Sequence, residues 1–155
     1  VEVFDPKTGA WAVTSPMRNA RRALGATLLD DGRVMVVGGK KSPGEKFRQL
    51  SEVEIYDPDT RKWIEAAPLV EGRWGPSVTR LDNGEVLVVG GMYGRVGRRK
   101  SAEIFNPGRG TWRDAGTLRK ARNGHRAIVL NDGRVLIVGG FSGAQYLTSC
   151  EVFKP

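Results

Sequence analysis

The chain has 155 residues, 39% hydrophobic and 27% charged, a length and balance that suit one folded domain rather than a disordered or membranous segment. Its formal charge is +8, with a single cysteine, Cys150, and a single histidine, His125. That inventory excludes an internal disulfide framework and a multi-cysteine metal site, and it argues against most histidine-dependent chemistry.

The chain opens at Val1 with neither an initiator methionine nor a leader-like segment. We therefore read it as a processed or excised piece from which targeting cannot be judged, with the compartment open between secreted and cytoplasmic. No apolar run reaches the roughly 18 residues of a membrane-spanning helix. Taken in order, the first expected strand holds Val3 and Phe4, ends at Asp5-Pro6, and is followed by one beginning at Trp11. Leu24–Leu29 and Val34–Val37 follow, joined at Asp31-Gly32; next come a strand holding Ile55 and Tyr56 and one beginning at Trp63. The same series returns as Ser77–Leu81, Val86–Val89, Ile104 with Phe105, and Trp112. It starts a third time with Arg126–Leu130 and Val135–Val138, and closes on EVFKP at 151–155. Asp-Gly or Asn-Gly at each first turn predicts a two-residue type I′ hairpin. The nearly unbroken β-branched second strands predict burial on both faces. No segment has an apolar period of 3.6, so no helix is expected.

The recurrence is literal. EVFDPKTGAW (2–11), EIYDPDTRKW (54–63) and EIFNPGRGTW (103–112) align without a gap, as do LLDDGRVMVVGG (28–39), RLDNGEVLVVGG (80–91) and VLNDGRVLIVGG (129–140). The sequence thus predicts an all-β chain of four-stranded antiparallel units, divided at 1–15, 23–67, 75–116 and 124–155.

A four-stranded unit of this length, with Gly38-Gly39, Gly90-Gly91 and Gly139-Gly140, the aromatics Phe4, Tyr56 and Phe105, and the spaced Trp11, Trp63 and Trp112, resembles the kelch repeat of β-propellers. The stretch ATLLDDGRVMVVGG is similar to prokaryotic members in particular. The resemblance covers essentially the whole chain and implies about three blades, fewer than the four to eight that close a ring. The missing blades then come from a longer chain or from a second copy that completes six. The surplus third strand at 150–153 favours the longer chain. An open arc should also bury less than a compact globule, for which about 7,700 Å² of exposed surface is expected.

Repeated residues read as architecture. Glu2, Glu54, Glu103 and Glu151 recur once per unit, whereas an active site needs a unique cluster. The repeated Arg21, Arg73 and Arg122 are their natural ion-pair partners. The Gly-Gly pairs read as close backbone approaches, since GGKKS at 38–42 lacks the first glycine and the Ser/Thr of a phosphate-binding loop. Cys150 aligns with Val1, Val53 and Ala102 and is expected to be a buried apolar residue; His125 is expected to be a packing residue. No catalytic, metal or cofactor set is predicted.

Charge is unevenly placed. The loops after Gly-Gly and the connections between units together carry +14, which leaves −6 for the rest. In kelch proteins the ligand face is commonly built from these segments, which by position implies Arg21, Arg22, Lys40, Lys41, Arg73, Trp74, Met92, Tyr93, Arg122, Asn123, Phe141 and Ser142. Arg98 and Arg99 add to it from the basic stretch 94–101. The expected function is non-enzymatic binding of an acidic protein, peptide or anionic glycan, with nucleic acid the weaker candidate. The alternative is the propeller scaffold of a galactose oxidase-like or carbohydrate-active secreted enzyme whose active residues lie outside this segment.

Overall fold

The computed structural model describes residues 1–41 and 48–155. All regular structure among them is β. The chain opens with a hairpin of β1 (Glu2–Asp5) and β2 (Ala10–Val13), with Phe4 opposite Trp11. The short β3 (Arg21–Arg22) leads into the first full sheet, formed by β4 (Gly25–Leu28), β5 (Val34–Val37), β7 (Val53–Asp57) and β8 (Lys62–Ala66). Between β5 and β7 the chain makes an excursion through β6 (Lys40–Lys41), which pairs back onto β3. The second sheet repeats this plan with β9 (Ser77–Arg80), β10 (Val86–Val89), β13 (Ser101–Asn106) and β14 (Thr111–Thr117). Its excursion is the small hairpin β11 (Met92–Tyr93) and β12 (Gly97–Arg98). The third sheet has three strands, β15 (Arg126–Val129), β16 (Val135–Val138) and β17 (Cys150–Phe153). Every ladder is antiparallel, and apart from β3–β6 each joins strands that follow one another in the unit.

The first turns differ in type from the sequence expectation. In each, only the glycine has positive φ: +83° at Gly32, +80° at Gly84 and +78° at Gly133. Gly32 N–H donates to Leu29 O, and Leu29 N–H donates to Arg33 O. The connection is therefore a three-residue loop, a tight turn followed by a left-handed glycine, and not a two-residue type I′ turn. Asp31, Asn83 and Asp132 select it by accepting the backbone N–H two residues on.

Strand β10 shows how the sheets stack. Val86 and Val88 join Met35, Val37, Val53 and Ile55 of the first sheet in one apolar cluster. Leu87 and Val89 join Val135 and Ile137 of the third sheet in another. All four β10 side chains are buried, because one face meets the preceding sheet and the other the following one. The innermost strands β4, β9 and β15 lie side by side, so the sheets fan as blades of a propeller. The arc is open and exposes 9027 Å², more than the roughly 7,700 Å² of a compact globule of this mass.

Openness corrects one expectation. Cys150 is exposed, whereas its counterparts Val53 and Ala102 are buried. Those two face the sheet that follows their own. Among the described residues no sheet follows β17, so its outer face meets solvent. Phe4, Trp11 and Val13 on the opening hairpin are exposed for the corresponding reason at the other flank.

Candidate ligand-binding face

The end of the propeller that carries the Gly-Gly turns is built on a buried lattice of charge. Arg73 Nη2 lies 2.5 Å from Glu103 Oε1, while its Nη1 donates to Gly90 O and Ser101 O at 3.1 and 2.8 Å. Arg122 repeats the pattern with Glu151, Gly139 O and Ser149 O, and Arg21 with Glu54, Gly38 O and Glu52 O. Each carboxylate also accepts backbone N–H groups of the preceding connection: Arg18 for Glu54, Val70 for Glu103, and Arg119 for Glu151. Burial pulls the Glu151 carboxyl up. The N–H groups of Arg119 and Lys120 and the Arg122 guanidinium outweigh it and hold the group below its ordinary value. Burial is the dominant influence on Arg73 and lowers its pKa, opposed by Glu103.

The glycine pairs let the next unit dock. Gly39 N–H donates to Arg73 O, and Gly91 N–H donates to Arg122 O, both at 2.9 Å. A Cβ on Gly38 would lie 2.4 Å from Arg73 O, and one on Gly90 2.5 Å from Arg122 O. Outermost-strand tryptophans tie the units at the rim: Trp63 Nε1 donates to Ser15 O and Trp112 Nε1 to Ala67 O. His125 is buried between the second and third blades, with Nε2 2.9 Å from Ser77 Oγ. Burial, Arg122 and Arg126 lower its pKa to about 4, which keeps it neutral near pH 7.

Above this lattice, the residue after each buried arginine bridges to the residue after Gly-Gly. Arg22 pairs with Lys40, Trp74 with Met92, and Asn123 with Phe141. Cations stack on this layer's aromatic rings: Lys40 over Trp74 at 4.2 Å, Arg99 over Tyr93 at 4.8 Å and Arg98 over Phe141 at 5.0 Å.

The sequence-derived set therefore divides in two. Arg21, Arg73 and Arg122 have buried side chains committed to the lattice, and Met92 is buried as well, so these four are corrected from surface-facing to internal positions. The three arginines are drawn inward by Glu54, Glu103 and Glu151, and the apolar Met92 lies on a segment whose backbone bridges to Trp74. Arg22 and Tyr93 are exposed; Lys40, Lys41, Trp74, Arg98, Arg99, Asn123, Phe141 and Ser142 are half-buried along the same rim. Exposed Arg95 and Lys100 belong with them. Sequence position alone did not single out Arg95, because it sits on the tip of the β11–β12 hairpin, whose two-residue strands carry no periodic signal. Residues 42–47 of the first loop, Glu45 and Lys46 included, lie outside the described residues.

The opposite end is neutralised locally. Arg33 pairs with Asp31, Arg134 with Asp132, Arg80 with Asp30 and Arg113 with Glu85. Among the described residues, no group of three His, Cys, Asp or Glu is placed to hold a metal ion, and no helix is long and apolar enough to cross a membrane.

Comparison with known proteins agrees with this architecture. The Kelch motif matches residues 21–70 and 77–119. Beta-scruin of Limulus polyphemus is 35% identical over 82 residues, 53% of this chain and 8% of that protein. Kelch-like protein 35 of Mus musculus is 36% identical over 91 residues, 59% and 14% of the respective chains. An F-box/kelch-repeat protein of Arabidopsis thaliana is 33% identical over 88 residues, 57% and 22%. The matched stretches thus span less than a quarter of these relatives. The motif match covers most of the first two full blades, and those blades have the strand order, glycine pairs and rim tryptophans described above: the chain belongs to the kelch-repeat family.

Proposed function

We propose that the chain is a non-enzymatic interaction module that binds an acidic segment of a protein partner on the Gly-Gly face. The observation that carries this reading is the contrast between the two ends. At the first-turn end, arginines are spent on adjacent carboxylates. On the Gly-Gly face, Arg22, Arg95 and Lys100 are exposed, and no ion pair engages them among the described residues. Arginines set beside half-exposed aromatics are the side chains that dominate protein interfaces, and Arg forks match carboxylates in geometry. The kelch-like relatives support a protein partner over other classes.

The test is fluorescence anisotropy of a dye-labelled hexaglutamate peptide with the unsubstituted chain and with the Arg22→Glu/Arg95→Glu/Lys100→Glu variant. Binding by the former and at least a tenfold loss in the latter supports the reading; equal affinities overturn it. A single-stranded oligonucleotide and an anionic oligosaccharide form the comparison arms. A nucleic-acid surface making six phosphate contacts would lose about a thousandfold in affinity between 50 and 200 mM salt. Tighter binding of either comparison ligand than of the peptide would overturn the choice of a protein partner.

A further inference from the structure

Of the two arginines stacked on the face, Arg99 is already neutralised: its Nη1 lies 2.7 Å from Glu71, and its Nε donates to Gly72 O. Arg98 is held differently. Its Nε donates to Asn123 Oδ1 at 3.3 Å, Nη1 donates to Val96 O, and the guanidinium lies over Phe141. Gly143 lies against it so closely that a Cβ there would sit 3.0 Å from Nη1. Every one of these contacts is to a neutral group. Among the described residues, no carboxylate pairs with Arg98, although three separate segments fix its position. A guanidinium clamped in place keeps its charge and its fork geometry while losing rotamer freedom before any partner arrives, which lowers the cost of binding.

We propose that Arg98 is the specificity-determining residue of the face, a preorganised receptor for one carboxylate of the acidic partner, with Phe141, Asn123 and Gly143 as its positioning residues. This rests on the functional reading above. Arg22, Arg95 and Lys100 then supply long-range attraction, whereas Arg98 sets the geometry of a single contact. Lysine at position 98 keeps the charge but loses the fork, the Asn123 contact and much of the stacking on Phe141.

The test compares hexaglutamate affinities of the unsubstituted chain, Arg98→Lys, Phe141→Leu and Arg95→Lys, with far-UV circular dichroism and thermal midpoints to confirm folding. Arg98→Lys should weaken binding about tenfold, Phe141→Leu a few-fold, and Arg95→Lys less than twofold. Peptide binding with equal losses for Arg98→Lys and Arg95→Lys would overturn this inference alone and leave the face reading standing. No binding by the unsubstituted chain would defeat the face reading and this inference with it.

Discussion

Arg73 joins two blades through different atoms: its backbone carbonyl accepts the Gly39 N–H at 2.9 Å, while its guanidinium binds Glu103 within its own blade. Backbone and side chain of one residue therefore fix the first blade against the second. Glu103→Ala removes the carboxylate 2.5 Å from the fully buried Arg73 guanidinium, leaves Glu71 at 3.7 Å as its remaining ion-pair partner among the described residues, and should cost about 3–5 kcal/mol in denaturant unfolding. Glu151→Ala should cost less, because Glu151 is 14% exposed and water can replace part of the interaction.

The close approach at the glycine pair gives a sharper contrast. Gly38→Ala places a methyl 2.4 Å from Arg73 O at φ +61° and should destabilise by about 3 kcal/mol. Gly32→Ala has a similar left-handed strain, at φ +83°, but open space around it, and should cost about 1 kcal/mol. Urea unfolding of the two variants separates crowding from backbone strain.

Ala23 occupies a left-handed conformation, φ +51°, where the other units carry Gly75 and Gly124. The three residues form a chain of backbone hydrogen bonds around the axis, Gly75 N–H to Ala23 O and Gly124 N–H to Gly75 O. Ala23→Gly relieves the strain, partly offset by greater freedom in the unfolded chain, and should stabilise by about 0.5–1 kcal/mol. Thermal unfolding should show a raised midpoint.

Acid should loosen the second and third blades through His125. Its pKa falls from 6.5 to about 4 on folding, so the unfolded chain binds the proton more readily. The neutral-state stability is therefore complete above pH 6.5 and is lost as the pH falls toward 4, by roughly 3 kcal/mol in all. His125→Leu, which takes the residue found at position 24, should flatten the pH dependence of the urea midpoint between those values even though it leaves Ser77 without its partner.

Cys150 reports on the open flank. In the native chain it should react with dithionitrobenzoate at close to the rate of an unfolded thiol. Protection that disappears on dilution would mean that another copy covers β17.

Much of this molecule was legible in its sequence. The second strands occupy the expected 34–37, 86–89 and 135–138, because an unbroken β-branched run between a glycine turn and a glycine pair has few other structures open to it. The Glu–Arg pairs were legible because they recur in register. The first turns were misjudged because Asp-Gly suits both a two-residue turn and a three-residue loop, and only the bond from Gly32 to Leu29 O decides between them. Cys150 was misjudged because its alignment with Val53 says where it points, not whether a further sheet lies there. Stacking of Arg98 on Phe141 depends on contact between neighbouring units, 43 positions apart in a repeat pattern that does not encode it.

Under the proposed function, repeated charges hold the blades while non-repeated charges on the Gly-Gly face meet the partner. Unfolding free energy and hexaglutamate affinity, measured together on Glu103→Ala and on the Arg22→Glu/Arg95→Glu/Lys100→Glu variant, test it most directly. A large stability loss is expected for the first, and for the second a loss of affinity with stability changed by less than about 1 kcal/mol. A stable Glu103→Ala chain, or a charge-reversed face that binds as tightly as before, would contradict it.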